Sequence, residues 1–217
     1  MKILGVIFDL DGVICYTDEL HYQSWKKIAN EEGIYFDKEI NNRLRGISRL
    51  DSLNIILENS KKTYSDEEKE NLMQKKNNFY REYLLKLSRK DVDKDVFDTL
   101  YWLKLNGYKI GLGSSSKNTK LILKQLELDT IFDAVSDGND ISHSKPNPEV
   151  YMHTCTKLDL IPSNCLVIED AMVGIDAANN GGFISVAIGD ARKHSNARYK
   201  INKLSDILNI IKENNAL

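Results

Sequence analysis

A pair of carboxylates follows the first apolar run of the chain. Residues 3–8 are apolar, and Asp9, Asp11 and Gly12 come directly after them. Side chains two positions apart lie on the same side of an extended chain, so we expect both carboxylates to face one site. They repel each other unless a divalent cation lies between them or one is protonated. A polar turn at Asp11 and Gly12 is the alternative interpretation of this pattern alone.

A serine-rich segment follows a second apolar run. The run covers residues 109–113, and Ser114 opens the sequence Ser-Ser-Ser-Lys-Asn at the start of a predicted helix. Hydroxyl and backbone N–H groups at a helix N-terminus can bind an anion. A serine cluster is also a common helix cap, so this segment alone does not establish a phosphate site.

Two further groups complete the set of residues that could do chemistry. Lys145 lies in a loop stiffened by Pro146 and Pro148, and Glu169 and Asp170 follow an apolar run. Carboxylate oxygens at the end of a strand suit Mg²⁺, which prefers hard ligands. Taken singly, a surface lysine and acidic residues at a helix start explain the same sequences.

The elements that must position these groups alternate along the second half of the chain. We predict strands over 3–9, 109–113, 164–168 and 183–188, and helices over 117–127, 171–180 and 204–212. Apolar strands that alternate with helices indicate an α/β fold, a Rossmann-like and mainly parallel sheet covered on both faces. In such sheets the site lies beyond the carboxyl ends of the strands, and three of the four groups follow predicted strands there, while Lys145 lies in a loop before a helix.

The segment after the first strand has a different pattern. Helical periodicity covers residues 19–32, 49–59 and 66–87, and Ser65 with Glu68 forms a capping signature. We predict a helical cap domain at residues 16–88, inserted into a core domain of residues 1–15 and 89–217. Residues 41–90 hold twelve basic and seven acidic side chains, which suits phosphorylated substrates.

Composition excludes several other classes of protein. The 217 residues are 41% hydrophobic and 29% charged, and the net charge of −2 gives no reason to expect binding to nucleic acid or to a membrane. The opening apolar run is too short for a spanning helix. Three scattered cysteines, Cys15, Cys155 and Cys165, argue against a disulfide framework or a zinc site. We expect a cytoplasmic monomer.

The order and spacing of the four groups resemble the haloacid dehalogenase superfamily of phosphotransferases and phosphatases. The resemblance covers essentially the whole chain, including a helical cap after the first motif. Around Thr17 and His21, and again from Arg45 to Ser52, the cap is similar to that of sugar-phosphate mutases within the superfamily. The four matching motifs are Asp9-Leu-Asp11, Ser114, Lys145 and Glu169-Asp170.

This resemblance implies a role for each motif. Asp9 would be the nucleophile that becomes phosphorylated, and Asp11 would be the general acid and base. Ser114 and Lys145 would bind the phosphoryl group during its transfer. The implied cofactor is Mg²⁺, and its implied ligands are Asp9, Asp11 through its backbone carbonyl, Glu169 and Asp170.

The resemblance also implies a substrate site shared between cap and core. Arg49 would bind the phosphate that is not transferred, together with part of the serine-rich segment. The implied substrate-binding residues are Thr17, His21, Trp25, Arg45, Gly46, Ile47, Arg49, Ser52, Lys76, Ser115, Ser116, Lys117 and Asn118.

The expected substrate is a phosphorylated hexose. A mutase would interconvert β-D-glucose 1-phosphate and D-glucose 6-phosphate through an aspartyl phosphate and β-glucose 1,6-bisphosphate. A hexose-phosphate phosphatase is the alternative, because both enzymes share the four motifs, and a silent sugar-phosphate-binding protein would not need the nucleophile. Two departures from the family pattern bear on the substrate: residues 92–96 replace a frequent Pro-Gly loop, and Arg45 stands where lysine is expected.

Overall fold

Six parallel strands form a single sheet at the centre of the molecule. This computed structural model describes residues 2–45 and 47–216 of the chain. The strand order is β3-β2-β1-β4-β5-β6, and every pair of neighbours is parallel. The predicted α/β fold class is therefore confirmed. The strands are β1 (Gly5–Phe8), β2 (Lys109–Gly113), β3 (Ala134–Ser136), β4 (Cys165–Glu169), β5 (Ile184–Ala187) and β6 (Tyr199–Lys200).

Helices cover the sheet and form the insertion after β1. Four of them lie between β1 and residue 88, with no strand among the described residues of that segment, and the others follow in alternation with the strands. The helices are α1 (Asp18–Glu31), α2 (Lys38–Asn42), α3 (Arg49–Leu57), α4 (Asp66–Leu84), α5 (Lys94–Leu105), α6 (Thr119–Gln125), α7 (Glu149–Lys157), α8 (Met172–Asn180) and α9 (Ile207–Asn215).

Strand register brings the candidate residues to one edge of the sheet. Phe8 at the end of β1 is level with Leu112 of β2 on one side and with Ile168 of β4 on the other. The residues that follow these three positions therefore emerge side by side at the carboxyl edge. The order of strands in the sheet, with β1 between β2 and β4, places Asp9 between the ends of the other two strands.

The central strands are apolar throughout because both faces of the sheet are buried. Val6 and Phe8 pack in one hydrophobic cluster, while Ile7 and Val167 pack in another on the opposite face. All four side chains are fully buried. Burying an apolar side chain of this size contributes about 1.5–3 kcal/mol relative to exposure, so these short strands hold the edge rigidly.

The helical cap has a hydrophobic cluster of its own. Trp25, Phe36, Leu53 and Ile56 are buried against one another between α1, α3 and the intervening segment. The end of α4 behaves differently, because Tyr80 and Leu84 pack in the cluster of the sheet domain. The cap is therefore anchored to the core through α4, while the exact borders at 15/16 and 88/89 stay a prediction.

The differences from the predicted elements concern short segments. β3 and β6 contain three and two residues, too few to give a recognisable apolar run. α2 has five residues and is capped by Asp37, whose side chain accepts a hydrogen bond from Ile40 N. Residues 92–96 lead from a single 3₁₀ turn directly into α5. No described helix is both long and apolar enough to cross a membrane.

The capping box of α4 gives a test of the cap's stability. Ser65 Oγ accepts from Glu68 N at 3.2 Å, and Glu68 Oε2 accepts from Ser65 N at 2.8 Å. We expect Ser65→Ala to lower the free energy of unfolding by about 1 kcal/mol, because one helix donor loses its partner. Urea denaturation measures this, with Thr63→Ala on the exposed preceding turn as the control. Equal midpoints for the two variants would contradict the assignment.

Candidate active site

A buried ion pair lies at the end of β1. Lys145 Nζ donates to Asp9 Oδ1 at 2.6 Å and also to Glu169 Oε1. Burial raises the pKa of Asp9 well above its usual range, although the Lys145 charge acts in the opposite direction. Burial also disfavours the ammonium group, but the attraction of Asp9 and Glu169 outweighs it and raises the pKa of Lys145. Lys145 is therefore a permanent cation next to Asp9.

Glu169 is fixed from three directions. Besides Lys145, Tyr151 OH donates to Glu169 Oε1 at 2.6 Å, and Ala171 N donates to Oε2 at 2.9 Å. A Cβ atom at Gly174 would overlap the Glu169 carboxylate. The glycine in α8 thus leaves the space that this buried side chain needs.

Three carboxylates are close enough to share one cation. Oxygen atoms of Asp9, Glu169 and Asp170 lie within 4.8 Å of one another, and all three residues are buried. Burial and the charge of Glu169 raise the pKa of Asp170 to about 7, against the opposing effect of Arg45. A divalent cation would neutralise this crowded negative charge, and hard carboxylate oxygens fit such an ion. Asp9, Glu169 and Asp170 therefore fit a divalent metal, as the sequence predicts. The Asp11 carboxylate lies outside this cluster of three.

Asp11 occupies a different environment from Asp9. Thr17 Oγ1 donates to Asp11 Oδ1, and this hydrogen bond favours the ionised carboxylate. Burial has the larger effect and raises the pKa of Asp11 to about 6. Gly12 follows with a φ of 82°, and a Cβ there would overlap the Asp170 carboxylate. Asp11 can therefore gain or lose a proton near neutral pH, as acid–base catalysis requires.

The serine-rich segment forms the turn before α6 and faces the site. Ser114 Oγ accepts from Ser116 N at 3.1 Å, and Ser116 Oγ accepts from Asn118 N at 3.2 Å. These hydroxyls hold the turn that leads into α6, but the N-cap residue Asn118 makes no side-chain capping hydrogen bond, so the capping interpretation is not confirmed. The Ser115 hydroxyl is buried and has no hydrogen-bond partner in the described part of the chain. Such a group is available to a ligand.

A buried lysine and histidine form the cap's side of the site. Lys76 Nζ lies 2.9 Å from His21 Nδ1, and 4.5 Å and 5.1 Å from the ring centroids of Tyr80 and Trp25. Burial lowers the pKa values of His21 and Lys76 well below their usual ranges, and the nearby Arg49 lowers both further. An anion in the site would favour their charged forms.

Arg49 belongs to a chain of hydrogen bonds between cap and core. Its Nη2 donates to Asn77 Oδ1 at 2.9 Å, and Asn118 Nδ2 donates to the same oxygen at 2.9 Å. Arg81 Nη1 in turn donates to Asn118 Oδ1 at 3.2 Å. Arg49 and Asn118, which the sequence predicts to share one phosphate, are therefore brought together through Asn77.

Arg45 contacts carboxylates of both the cap and the core. Its Nη2 lies 2.7 Å from Asp18 Oδ2 and 2.8 Å from Asp170 Oδ2, while Nη1 lies 2.9 Å from Asp190 Oδ2. The predicted contact of Arg45 with substrate stays a prediction, since its guanidinium faces three acidic groups here. These ion pairs tie the segment between α2 and α3 to the edge of the sheet.

A cavity of about 440 Å³ collects most of the predicted residues. Thr17 and Glu169 do not line the cavity. Thr17 contacts Asp11 and Glu169 contacts Lys145, and both of these partners line it. Gly46 lies outside the described residues. The predicted residues that line the cavity are Asp9, Asp11, His21, Trp25, Arg45, Ile47, Arg49, Ser52, Lys76, Ser114, Ser115, Ser116, Lys117, Asn118, Lys145 and Asp170.

The polar residues that contact the predicted ones and were not themselves predicted include Asp18, Asn77, Arg81, Tyr151 and Asp190. Asp190 carried a usable signal, because it follows β5 at the same carboxyl edge. Asn77 and Arg81 are one turn apart on α4, beside Lys76 and Tyr80, so helix periodicity could have indicated them. Asp18 and Tyr151 had no such signal, because their roles depend on tertiary contacts.

The family model for haloacid dehalogenase-like hydrolases matches residues 3–182. Together with the parallel sheet and the buried cluster of Asp9, Lys145, Glu169 and Asp170, this shows that the chain belongs to the haloacid dehalogenase-like hydrolase family.

The chain closely resembles β-phosphoglucomutases within that family. It is 38% identical to β-phosphoglucomutase of Bacillus subtilis, covering 94% of this chain and 91% of that protein. The crystal structure of β-phosphoglucomutase from Clostridium difficile superimposes with a TM-score of 0.92 at 36% identity, covering 99% of this chain and 98% of that one. A phosphorylated carbohydrates phosphatase of Thermotoga maritima is 25% identical over 96% of this chain and 98% of its own length.

The pKa of Asp170 predicts how metal binding depends on pH. Metal ligands must be deprotonated, so a cation must displace a proton from Asp170 below its pKa of about 7. We expect the affinity for Mg²⁺ to be about tenfold weaker at pH 6 than at pH 8, since one proton is released across this range. Isothermal titration calorimetry measures the affinity, and circular dichroism checks the fold at both pH values. A pH-independent affinity would exclude Asp170 as a ligand.

Proposed function

We propose that this enzyme interconverts β-D-glucose 1-phosphate and D-glucose 6-phosphate. Its similarity to the β-phosphoglucomutases of two bacteria supports this reaction. The observation that carries the proposal is that a single cavity is lined by Asp9, by Lys145 and by the separate Arg49 cluster. A mutase must hold two phosphates at once, whereas hydrolysis of a monoester needs a site for one.

Asp9 is the proposed nucleophile. One carboxylate oxygen would attack phosphorus in line, forming the Asp9–phosphate bond as the bond from phosphorus to the sugar oxygen breaks. Lys145 holds the other Asp9 oxygen and orients the attack. Ser114, at the end of β2, would bind an oxygen of the transferring group. Mg²⁺, held by Asp9, the Asp11 backbone carbonyl, Glu169 and Asp170, would neutralise charge that develops on the phosphoryl oxygens.

Asp11 is the proposed proton carrier. Protonated at its carboxyl group, it would donate to the departing sugar oxygen, and the resulting carboxylate would later accept the proton of the attacking hydroxyl. The Thr17 hydroxyl holds one Asp11 oxygen and so directs the other toward the substrate. A pKa of about 6 leaves both forms populated near neutral pH.

Retransfer requires that the bisphosphate intermediate turns around without losing a phosphate to water. Arg49, Lys117 and Asn118 would bind the phosphate that is not reacting in each half of the cycle. Arg45 would keep the cap against the core through Asp170 and Asp190. A closed cavity excludes water and so favours transfer to sugar over hydrolysis.

A hexose-phosphate phosphatase is the second candidate function. The relatives of this chain include the Thermotoga maritima phosphatase and a fructose-1-phosphate phosphatase of Escherichia coli, which is 28% identical over 86% of this chain. A coupled assay with β-glucose 1-phosphate, with and without glucose 1,6-bisphosphate, separates the two functions. The mutase forms glucose 6-phosphate with little free phosphate, whereas a phosphatase releases phosphate stoichiometrically. We also propose that the enzyme is a monomer and that it acts in the cytoplasm.

Replacing Asp11 tests the proton-transfer step. We expect Asp11→Asn to retain the fold and metal binding, because the Asp11 carboxylate lies outside the acidic cluster. Its turnover of β-glucose 1-phosphate should fall by about two to four orders of magnitude, the usual contribution of general acid–base catalysis. Turnover within a few-fold of the parent would remove Asp11 from this role.

Replacing Arg49 tests the mutase itself. We expect Arg49→Ala to slow isomerisation about 10- to 100-fold, because a charge-assisted hydrogen bond to the second phosphate is lost. Hydrolysis of acetyl phosphate, which has one phosphate, should stay within about twofold. Arg43→Ala is the matched control, since Arg43 pairs with Glu58 on the cap surface away from the cavity. Equal losses in both reactions would indicate general damage rather than a second phosphate site.

A further inference from the structure

The hydrogen bonds around Asn77 have a direction that the donor chemistry fixes. Arginine has no acceptor, so the Asn77 atom 2.9 Å from Arg49 Nη2 must be the amide oxygen. The Asn118 atom that approaches this oxygen is then the amide nitrogen. That leaves the Asn118 oxygen for Arg81, which is again a pure donor. Two arginines at the ends therefore determine both amide orientations.

Arg49 donates its hydrogen bond to a neutral amide, which does not cancel the positive charge of the guanidinium. Among the described residues no carboxylate lies within ion-pair distance of Arg49, although Glu70 lines the same cavity. Arg45, by contrast, faces three carboxylates. An amide oxygen orients the guanidinium without cancelling its charge, so the full charge stays available to an anion.

The positions of the two amides explain why this arrangement spans cap and core. Asn77 and Arg81 are four residues apart on α4, so both face the segment before α6. Asn118 in that segment is buried, and its backbone N–H bonds to Ser116 Oγ. The cap-side and core-side groups of the second phosphate site are thus held at one separation by Asn77.

We propose that Asn77 is a positioning residue that aims the uncompensated Arg49 guanidinium at the second phosphate, with Arg81 fixing the Asn118 amide on the core side. This inference rests on the proposed function, because it assigns the geometry of the second phosphate site to residues that do not themselves bind the substrate. It requires a neutral acceptor at position 77, so an isosteric carboxylate there must impair binding.

The test compares two neighbouring substitutions of equal charge. Asn77→Asp keeps both acceptor contacts but pairs with Arg49, whereas Asn78→Asp changes an exposed side chain whose contact is Gln74. Both are made in Asp9→Asn protein, which cannot consume the ligand, and are titrated calorimetrically with β-glucose 1,6-bisphosphate. We expect Asn77→Asp to weaken binding about 10- to 100-fold and Asn78→Asp less than about twofold.

Two readouts separate positioning from structural damage. Because the new carboxylate forms an ion pair with Arg49, Asn77→Asp should melt at or above the temperature of Asn78→Asp. With Asp9 restored, it should hydrolyse acetyl phosphate at about the parental rate. Arg81→Ala should weaken bisphosphate binding about three- to tenfold, and Arg81→Lys, which keeps a donor, should recover part of this loss.

The outcomes distinguish this inference from the proposed function. Bisphosphate affinity that falls equally in Asn77→Asp and Asn78→Asp would overturn the role of Asn77, and so would a lowered melting temperature together with lost acetyl phosphate hydrolysis. Neither result depends on isomerisation of the sugar phosphate. Absence of isomerisation by the parental enzyme would overturn the proposed function, while a selective loss of affinity in Asn77→Asp would still establish the positioning role.

Discussion

The concentration of buried negative charge at the end of β1 is the constraint on which the rest of the site depends. Asp9, Glu169 and Asp170 are held within 4.8 Å of one another. Removing one partner of a buried ion pair typically costs about 3–5 kcal/mol, so Lys145 is a structural requirement as well as a proposed catalytic group. Tyr151 and the backbone of Ala171 satisfy the remaining oxygens of Glu169. The glycines at 12 and 174 exist because these carboxylates leave no room for a side chain.

The opposite wall of the cavity has the complementary electrostatic character. Arg49, Lys76 and Lys117 line this wall, and the hydrogen-bond partners of Arg49 and Lys76 are Asn77 and His21 rather than carboxylates. Burial there lowers the pKa values of both Arg49 and Lys76. A phosphate can compensate the positive charge of this wall, whereas the carboxylate wall needs a cation. The negative charge of a phosphorylated substrate therefore balances positive charge that the described residues of the folded protein leave without a carboxylate partner at this wall.

Sequence alone predicted four of the six strands and placed candidate residues at their carboxyl ends, because both depend on local signals. Apolar runs followed by carboxylates, hydroxyls or lysine identify Asp9, Ser114 and Asp170 at strand ends. The short strands β3 and β6 carry no such signal. The partners of Arg45 and Arg49 were also missed, since an arginine's partner depends on how the cap packs on the core. Asn77 and Asp190 acquire their roles only from that packing.

The insertion of the cap beside the central strand has a mechanical consequence. β1 pairs on both sides, so the chain leaves the sheet from its most rigid part. A backbone bridge between Asp11 and Cys15 stiffens the first turns of that exit. The 19 residues of α4 extend about 28 Å. Its last turns, with Tyr80 and Leu84, pack against the core. A rotation of a few degrees about that end would therefore displace the start of α4 most, and with it the cap's side of the cavity, while the sheet and its carboxylates stay still.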